Sequence, residues 1–451
     1  MQDEAPFSGG VSKFMVFLIY YLLSTLLLIM AIPFFLLKGL RQRGFGKEWI
    51  QRLGFLPPLV LKNPIWVHAA SVGEVFCSLP LLRRIKKDFP QSQIVLTTMT
   101  RTGNETAKKY FPEADAILFL PLDHPWVLKR FIKRINPHLL LIAETELWPN
   151  LLRSCGKRRI PIILFNGRIS ERSLRGYLLF RRLFQNGLNH LSLFLMQTEE
   201  DQTRIIKIGA PSEKTKVVGN LKFDQTLPTL SGEKLAEVKE LSLLQGKSIL
   251  IAGSTHSGEE EVLIRILKEL KKTNPQLILL LAPRHLDRLE EVEKILKRET
   301  LSWMRRTLLK ESEDPGESCE VILLDTMGEL MNLYSLGTLI FIGGTLFPIG
   351  GHNPLEPLFF KKCVLFGPYM FHFSEISRSL VHAGGAIQVK DEEDLFSQLK
   401  SLLSDEKMRR EIGEKGYQFL QRHQGATERV FKEILPFLSK TLNENSSGSE
   451  G

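Results

Sequence analysis

The strongest constraint in this chain is a repeated alternation of short, unbroken apolar runs with polar or helix-periodic stretches. From residue 65 the runs read IWVHA, QIVLTTM, AILFLPL, LLLIA, IPIILFN and LFLMQ. A second series reads SILIAG, LILLLAP, VILLD, TLIFIGG, CVLFG and AIQV. A strand with one wet face alternates apolar and polar residues, whereas a strand covered by helices on both faces is apolar throughout. The pattern therefore predicts an α/β chain built from βαβ units, with two doubly wound parallel sheets.

Between the two series, QTLPTLSGEKLAEVKELSLLQGK is polar, contains Pro and Gly, and reads as a linker with one helix, which puts a boundary near residue 225. The expected organisation is an N-terminal segment over 1–43, one domain over 44–224, a second over 225–425, and a C-terminal helix with a disordered tail over 426–451. The last residues, TLNENSSGSEG, carry no apolar periodicity and are expected to be disordered.

Residues 14–37, FMVFLIYYLLSTLLLIMAIPFFLL, contain no charge. As a helix these 24 residues would reach roughly 36 Å, enough to cross a hydrocarbon core of about 30 Å. A cleaved signal peptide would have a shorter apolar region ending in small residues, whereas Lys38, Gly39 and Leu40 follow here. The expectation is a single transmembrane anchor helix. Arg41, Arg43, Lys47 and Arg52 follow it and only Lys13 precedes it, so the positive-inside bias places the rest of the chain in the cytoplasm.

Lys and Arg number 60 against 50 Asp and Glu, a net charge of +10, and the excess is concentrated: residues 153–182 hold nine basic residues and one acid, Glu171. Within them, LRGYLLFRRLFQNGL interleaves arginines with Leu174, Tyr177, Leu178, Leu183 and Phe184. This suits either an interfacial helix on an anionic bilayer or a core helix with solvated arginines. No nucleic-acid motif accompanies the charge. Cys77, Cys155, Cys319 and Cys363 are scattered, with no C-x-x-C pair, which matches neither a disulfide framework nor a zinc site and favours a reducing compartment.

In doubly wound sheets ligands sit beyond the carboxyl ends of strands, so residues just after each run are the candidates. In HAASVGEV, Ser71 and Glu74 read either as a capping box or as a helix start aiming a general base, Glu74, beside Gly73. In LLLIAETELWPN, the residues read either as a substrate-facing Glu144 or as a local cap by Glu146. In IFIGGTLFPIGGHNPLEP, four glycines, Gly343, Gly344, Gly350 and Gly351, lead to a helix expected to begin near Asn353 or Pro354, where a phosphate could sit. His352, Asn353 and Glu356 cluster there, and Glu356 could hold a ribose hydroxyl. Pro283, Arg284 and His285 end another run, and Met327, Gly328 and Glu329 follow a third. GSTHSGEEE spaces its glycines like a P-loop but has Glu259 where the phosphate-binding lysine belongs, leaving capping or a minor anion site. No G-x-G-x-x-G, D-x-D pair or tight His cluster is present, so no nicotinamide cofactor or metal is called for.

With these residues in view, the sequence resembles the 3-deoxy-D-manno-octulosonic acid (Kdo) transferases that act on lipid A precursor. The resemblance runs in order through HAASVGE, TTMTRTGNETA, ETELWPNLL, FNGRISERS, QTEEDQTR, VGNLKFD, APRH, DTMGEL and GGTLFPIGGHNPLEP, from the apolar stretch to about Gly425. It implies a GT-B architecture, two Rossmann-like domains facing a cleft, with the donor CMP-Kdo in the C-terminal domain and the lipid acceptor in the N-terminal one. The implied reaction inverts the anomeric centre and uses no metal or other cofactor, in lipopolysaccharide biosynthesis at the cytoplasmic face of the inner membrane. It casts Glu74 as proton acceptor and Glu144 and Lys222 as transition-state support. Pro283, Arg284, Met327, Gly328, Glu329, Asn353, Pro354, Leu355 and Glu356 would be the CMP contacts. Another membrane-anchored GT-B glycosyltransferase with a different donor, or a catalytically silent nucleotide-sugar binding protein, are the competing readings; the presence of both Glu74 and Lys222 argues against the silent one.

Overall fold

The computed structural model describes residues 15, 18–26, 29–30, 45–224, 246–310 and 319–446 of the chain. It divides into two compact units, Met1–Gln225 together with Gln424–Gly451, and Thr226–His423. Residues 15, 18–26 and 29–30 of the apolar stretch are helical, and Tyr20 donates to Asp123 Oδ2 at 2.8 Å. Among the described residues no helix is long and apolar enough to cross a membrane, so the expected transmembrane helix finds no support in them. The remainder of that stretch and residues 225–245, where the linker helix was expected, lie outside the described residues.

The first unit holds a seven-stranded parallel sheet: β1 (Ile65–His68), β2 (Ile94–Thr98), β3 (Ala116–Phe119), β4 (Leu139–Ala143), β5 (Ile162–Gly167), β6 (Leu193–Met196) and β7 (Thr215–Val217), in the spatial order β3-β2-β1-β4-β5-β6-β7. The chain winds outward from β1 to β3, then returns to lay β4 on the other side of β1, so the winding reverses between β1 and β4. Val67 of β1 pairs with Leu96 on one side and Leu141 on the other. Alternate residues serve opposite cores, which explains the unbroken apolar runs. Trp66, Leu140 and Ile142 pack with Phe131 and Phe194, whereas Val67, Leu141 and Ile163 pack with Val75, Leu82, Val430 and Ile434.

Val430 and Ile434 come from the C-terminal helix Ala426–Ser446, which belongs to the first unit. Asp224 fixes its start by accepting from the backbone amides of Gly425 (2.6 Å) and Thr427, and Arg429 Nε donates to Val218 O at 2.7 Å. The helix runs to Ser446, through residues expected to be disordered: once nucleated, a helix adds a residue for little free energy even without an apolar stripe.

The second unit repeats the plan with β8 (Ser248–Thr255), β9 (Leu277–Pro283), β10 (Trp303–Arg305), β11 (Val321–Leu323), β12 (Leu339–Ile342), β13 (Cys363–Phe366) and β14 (Ile387–Gln388), in the order β10-β11-β9-β8-β12-β13-β14. Its winding reverses between β8 and β12. The strands β7 and β10 were not foreseen: each has three residues at or near a sheet edge, too short for a periodic signal, and Lys216 and Val217 of β7 are exposed.

Truncating Ile434, fully buried in the first unit, to Ala is expected to cost about 2–5 kcal/mol. Chemical denaturation of the whole chain checks this. A loss within about 0.5 kcal/mol, the range of a surface position, would contradict the packing of the C-terminal helix into this core.

Candidate active site

In the first unit the winding reversal brings the ends of β1 and β4 side by side, and both candidate carboxylates lie there. After β1, Ala69 and Ala70 lead to Ser71, the N-cap of the helix Val72–Asp88. Ser71 Oγ accepts from Glu74 N at 3.4 Å, while the Glu74 carboxylate accepts from Ala70 N (2.8 Å) and from the Ser71 hydroxyl (3.0 Å). The capping arrangement is thus present, shifted by one residue from the usual box, in which the carboxylate would take the N-cap amide.

Capping alone would leave an ordinary carboxylate, but Glu74 is only 9% exposed. Burial, then the charge of Glu144 and more weakly that of Glu146, raises it to about 8 against the lowering bonds from Ala70 and Ser71. A group titrating near neutrality can take a proton and release it again. Capping aims the side chain, and its surroundings give it the basicity of a general base.

Glu144 directly follows β4 and has left-handed backbone geometry, φ 55°, which costs a non-glycine residue roughly 1–2 kcal/mol. Its amide donates to Phe165 O at 3.0 Å, which keeps β4 and β5 in step past the strand end. Its Oε1 is 3.8 Å from Lys222 Nζ. Lys222 lies on the 3₁₀ turn Leu221–Asp224, and a residue that the sequence did not single out anchors that turn. Asn166, fully buried with φ 51°, accepts from Leu221 N at 3.0 Å and donates to Cys77 Sγ at 2.9 Å, and its backbone carbonyl accepts from Gln197 Nε2 at 2.9 Å. One side chain thereby ties the Lys222 turn to the helix that carries Glu74. A left-handed asparagine has no signature in a single sequence beyond the residue type.

Glu146 does not cap the next helix. The N-cap of Pro149–Lys157 is Trp148, without a side-chain cap, and Glu146 instead accepts from the Trp148 indole at 2.8 Å and lies 3.8 Å from His68 Nε2. Burial acts to raise its carboxyl, but the nearby His68 imidazole and the bond from Trp148 prevail and hold it below the usual range.

The basic stretch also resolves into parts. The helices Glu171–Leu179 and Arg181–Leu188 break at Phe180. Leu174, Tyr177 and Phe184 pack on the core and Leu183 is buried, as in the core-helix reading. Leu178, Leu179 and Phe180 face solvent with Arg172, Arg175, Arg181 and Arg182.

In the second unit, Pro283 closes β9 and Arg284 follows it, exposed. Met327 and Gly328 are exposed, and Glu329 Oε2 lies 3.3 Å from the Nε of buried Arg306. Asn353 donates to Glu356 Oε1 at 3.2 Å and accepts from Leu355 N at 3.1 Å, framing Pro354. Burial raises the Glu356 carboxyl, while the Asn353 amide and Arg284 act in the opposite direction.

The helix expected near Asn353 is absent: the loop runs on to one 3₁₀ turn, Pro357–Phe360, ended by Lys361 in the left-handed region. Pro354 disfavours helical geometry at Asn353, and Pro357 has no amide to donate. No helix dipole is therefore available there to a phosphate.

The glycine loop is instead organised by Glu259, the residue that breaks the P-loop pattern. Its buried carboxylate accepts from Gly344 N (2.7 Å), Thr345 N (2.8 Å), Leu346 N (3.0 Å) and His256 N (3.0 Å). Gly343 is needed for close approach: a Cβ there would lie 2.4 Å from Ser254 O. Among the described residues no group of three or more metal-ligating side chains converges.

Residues 47–225 match the model of the family described as 3-Deoxy-D-manno-octulosonic-acid transferase (kdotransferase). Over 411 residues the chain is 36% identical to a 3-deoxy-D-manno-octulosonic acid transferase from Haemophilus influenzae, covering 90% of this chain and 95% of that one. This chain belongs to the Kdo transferase family. As a Kdo transferase it is a glycosyltransferase, and a second relative of the same name, from Chlamydophila psittaci, is 31% identical over 416 residues, covering 90% of this chain and 94% of its own. The fold is shared more widely. A solved UDP-GlcNAc 2-epimerase from Neisseria meningitidis superposes with a TM-score of 0.55 over 82% of this chain and 100% of its own at 15% identity, which supports the pair of parallel α/β domains of the GT-B class and nothing about activity.

Replacing Asn166 by Ala is expected to leave two buried partners without their bonds, costing about 1–3 kcal/mol, and to lower kcat more than it raises KM, because the Lys222 turn loses its anchor. Denaturation and steady-state kinetics of the same preparation check both; unchanged kcat with reduced stability would make Asn166 purely structural.

Proposed function

We propose that this Kdo transferase moves Kdo from CMP-Kdo to the lipid A precursor lipid IVA, with inversion and without a metal, at the cytoplasmic face of the bacterial inner membrane. The observation that carries the reading is Glu74, a carboxylate at the winding reversal of the first unit that burial, and then the charge of Glu144, raise to about 8. In the reaction the acceptor hydroxyl oxygen bonds to the anomeric carbon as the bond from that carbon to the phosphate oxygen breaks. The hydroxyl proton passes to Glu74 and CMP departs with the electron pair.

Lys222, held beside Glu144, supplies positive charge where charge is redistributed, and Glu144 orients it. CMP falls to Pro283 and Arg284, to Met327, Gly328 and Glu329, and to Asn353, Pro354, Leu355 and Glu356. Arg284 takes phosphate charge and the Asn353–Glu356 loop takes hydroxyls and base edges. The exposed Leu178, Leu179 and Phe180 among arginines suit an anionic membrane surface or the phosphates of the lipid acceptor. An anchor over residues 14–37, followed by basic residues, would keep the chain at that surface.

The test is incubation of the intact protein in detergent with CMP-Kdo and tetraacylated lipid A precursor, followed by mass spectrometry. A mass gain of one or more Kdo units is expected, and no gain alongside retained CMP-Kdo binding would point to another acceptor. Glu74→Gln should lower kcat by about 10²–10⁴-fold.

The wild-type rate should rise with pH until it levels above about 8, because only the ionised carboxylate accepts the proton. The stability consequence has the opposite sign. The folded Glu74 binds its proton more tightly than the unfolded one, so its contribution to stability is lost as pH rises from the ordinary carboxylate range through about 8. Glu74→Gln should therefore melt above the wild type at pH 8 and lose that advantage toward pH 4; a pH-independent difference would contradict the raised carboxyl.

A further inference from the structure

At the winding reversal of the second unit, two imidazoles meet that the donor contacts above leave unused. His256 follows β8 and His352 lies in the loop after β12; their Nε2 atoms are 2.9 Å apart and their rings are parallel within 3°. A direct bond of this kind needs a hydrogen on one Nε2 and a lone pair on the other, and it leaves both Nδ1 atoms for other partners. His285, after β9, meets His256 edge-on with ring centroids 5.8 Å apart. The glycine loop fastened by Glu259 lies against the pair: a Cβ at Gly344, where φ is +70°, would be 3.2 Å from His352 and 3.3 Å from His256. Three adjacent strands thus deliver imidazoles to the place where a doubly wound sheet receives its ligand.

The charges around the pair are one-sided. After burial, the groups that disfavour a proton on His256 are His285, Arg288 and Arg284; for His352 they are Arg284, His256, His372 and His285, and together they depress His352 to about 3. The neighbouring carboxylates are engaged elsewhere: Glu259 with four backbone amides, Glu260 with Arg288 at 2.9 Å, and Glu291 with Arg288 and Ser257. Burial and the surrounding cations disfavour a proton on either imidazole of the pair, and an anion is what the cluster lacks.

We propose that His256 and His352 form an anion seat for the nucleotide-sugar donor, receiving one of its anionic oxygen groups and gaining one proton as a pair when it binds. The inference rests on the donor reading above and deepens it. The proton comes from solvent. The pair then carries a single positive charge, with its mutual bond kept and both Nδ1 atoms protonated as donors, and no covalent bond is made or broken. CMP-Kdo offers two such anions on one carbon, the phosphodiester and the sugar carboxylate.

The test is calorimetric titration of the intact protein at pH 7 with cytidine, CMP and CMP-Kdo, in buffers of different ionisation enthalpy. The wild type is compared with His256→Gln and His352→Gln. Both variants are expected to bind cytidine as the wild type does, which also reports an intact fold. They should bind the anionic ligand about 10-fold more weakly and lose the buffer-dependent proton uptake. Weakening of CMP identifies the seat with the phosphate, and weakening of CMP-Kdo alone identifies it with the carboxylate. Unchanged affinity and unchanged proton uptake for all three ligands would overturn the seat. A wild type that bound none of them would overturn the donor reading, and the seat with it.

Discussion

A parallel strand covered on both faces has little room for polar groups along its length, because a side chain there enters one of two apolar cores and must find its partners inside, as Asn166 of β5 does. In each unit the crossover helices cover the faces and separate only where the winding changes direction, at β1 and β4 and again at β8 and β12. That constraint gathers Glu74, Glu144 and, through the Asn166 bridge, Lys222 in the first unit. In the second it gathers His256, His352 and Glu259. Unrelated sequence segments become neighbours because the topology leaves polar chemistry few other places.

The carboxylates near these strand ends differ in their surroundings, and the surroundings assign the work. Glu259 gives its charge to four backbone amides and becomes a structural fastener for the glycine loop. Glu146 is held low because the nearby His68 imidazole and the Trp148 bond outweigh burial, and it keeps the Trp148 indole in place. Glu74 accepts two bonds yet is raised to about 8, because burial and the charge of Glu144 outweigh them. A side chain placed only to cap a helix would do better ionised and wet, so the burial of Glu74 is a stability cost that capping does not explain.

Continuous apolar runs made most strands legible, and the rule that ligands gather at strand ends pointed to Glu74, Glu144, Arg284 and the glycine loop. The failures have separate causes. Three-residue strands such as β7 and β10 carry no period. The helix expected at Asn353 yields to Pro354 and Pro357, whose effects on the preceding residue and on amide donation outweigh the glycine-loop pattern. Asn166 and Glu259 act through contacts with residues 55 and about 85 positions away, and no local window contains such a contact. Glu259 breaks the P-loop pattern of its own segment, and the same carboxylate fastens a different glycine loop, Gly344–Leu346, more than 80 positions along the chain.

Each unit is electrostatically unfinished in a direction that matches half of a glycosyl transfer. The first crowds Glu74 and Glu144 together with Lys222 as the nearby cation, an arrangement that holds a proton more tightly than an ordinary carboxylate does. The second crowds imidazoles and guanidinium groups while its carboxylates are committed elsewhere, an arrangement that awaits an anion. Transfer of a sugar from a nucleotide to a hydroxyl releases one proton and one anion. One strand-end site is locally crowded with carboxylates and the other with cationic groups, an imbalance of the kind that a bound substrate relieves in the proposed reaction.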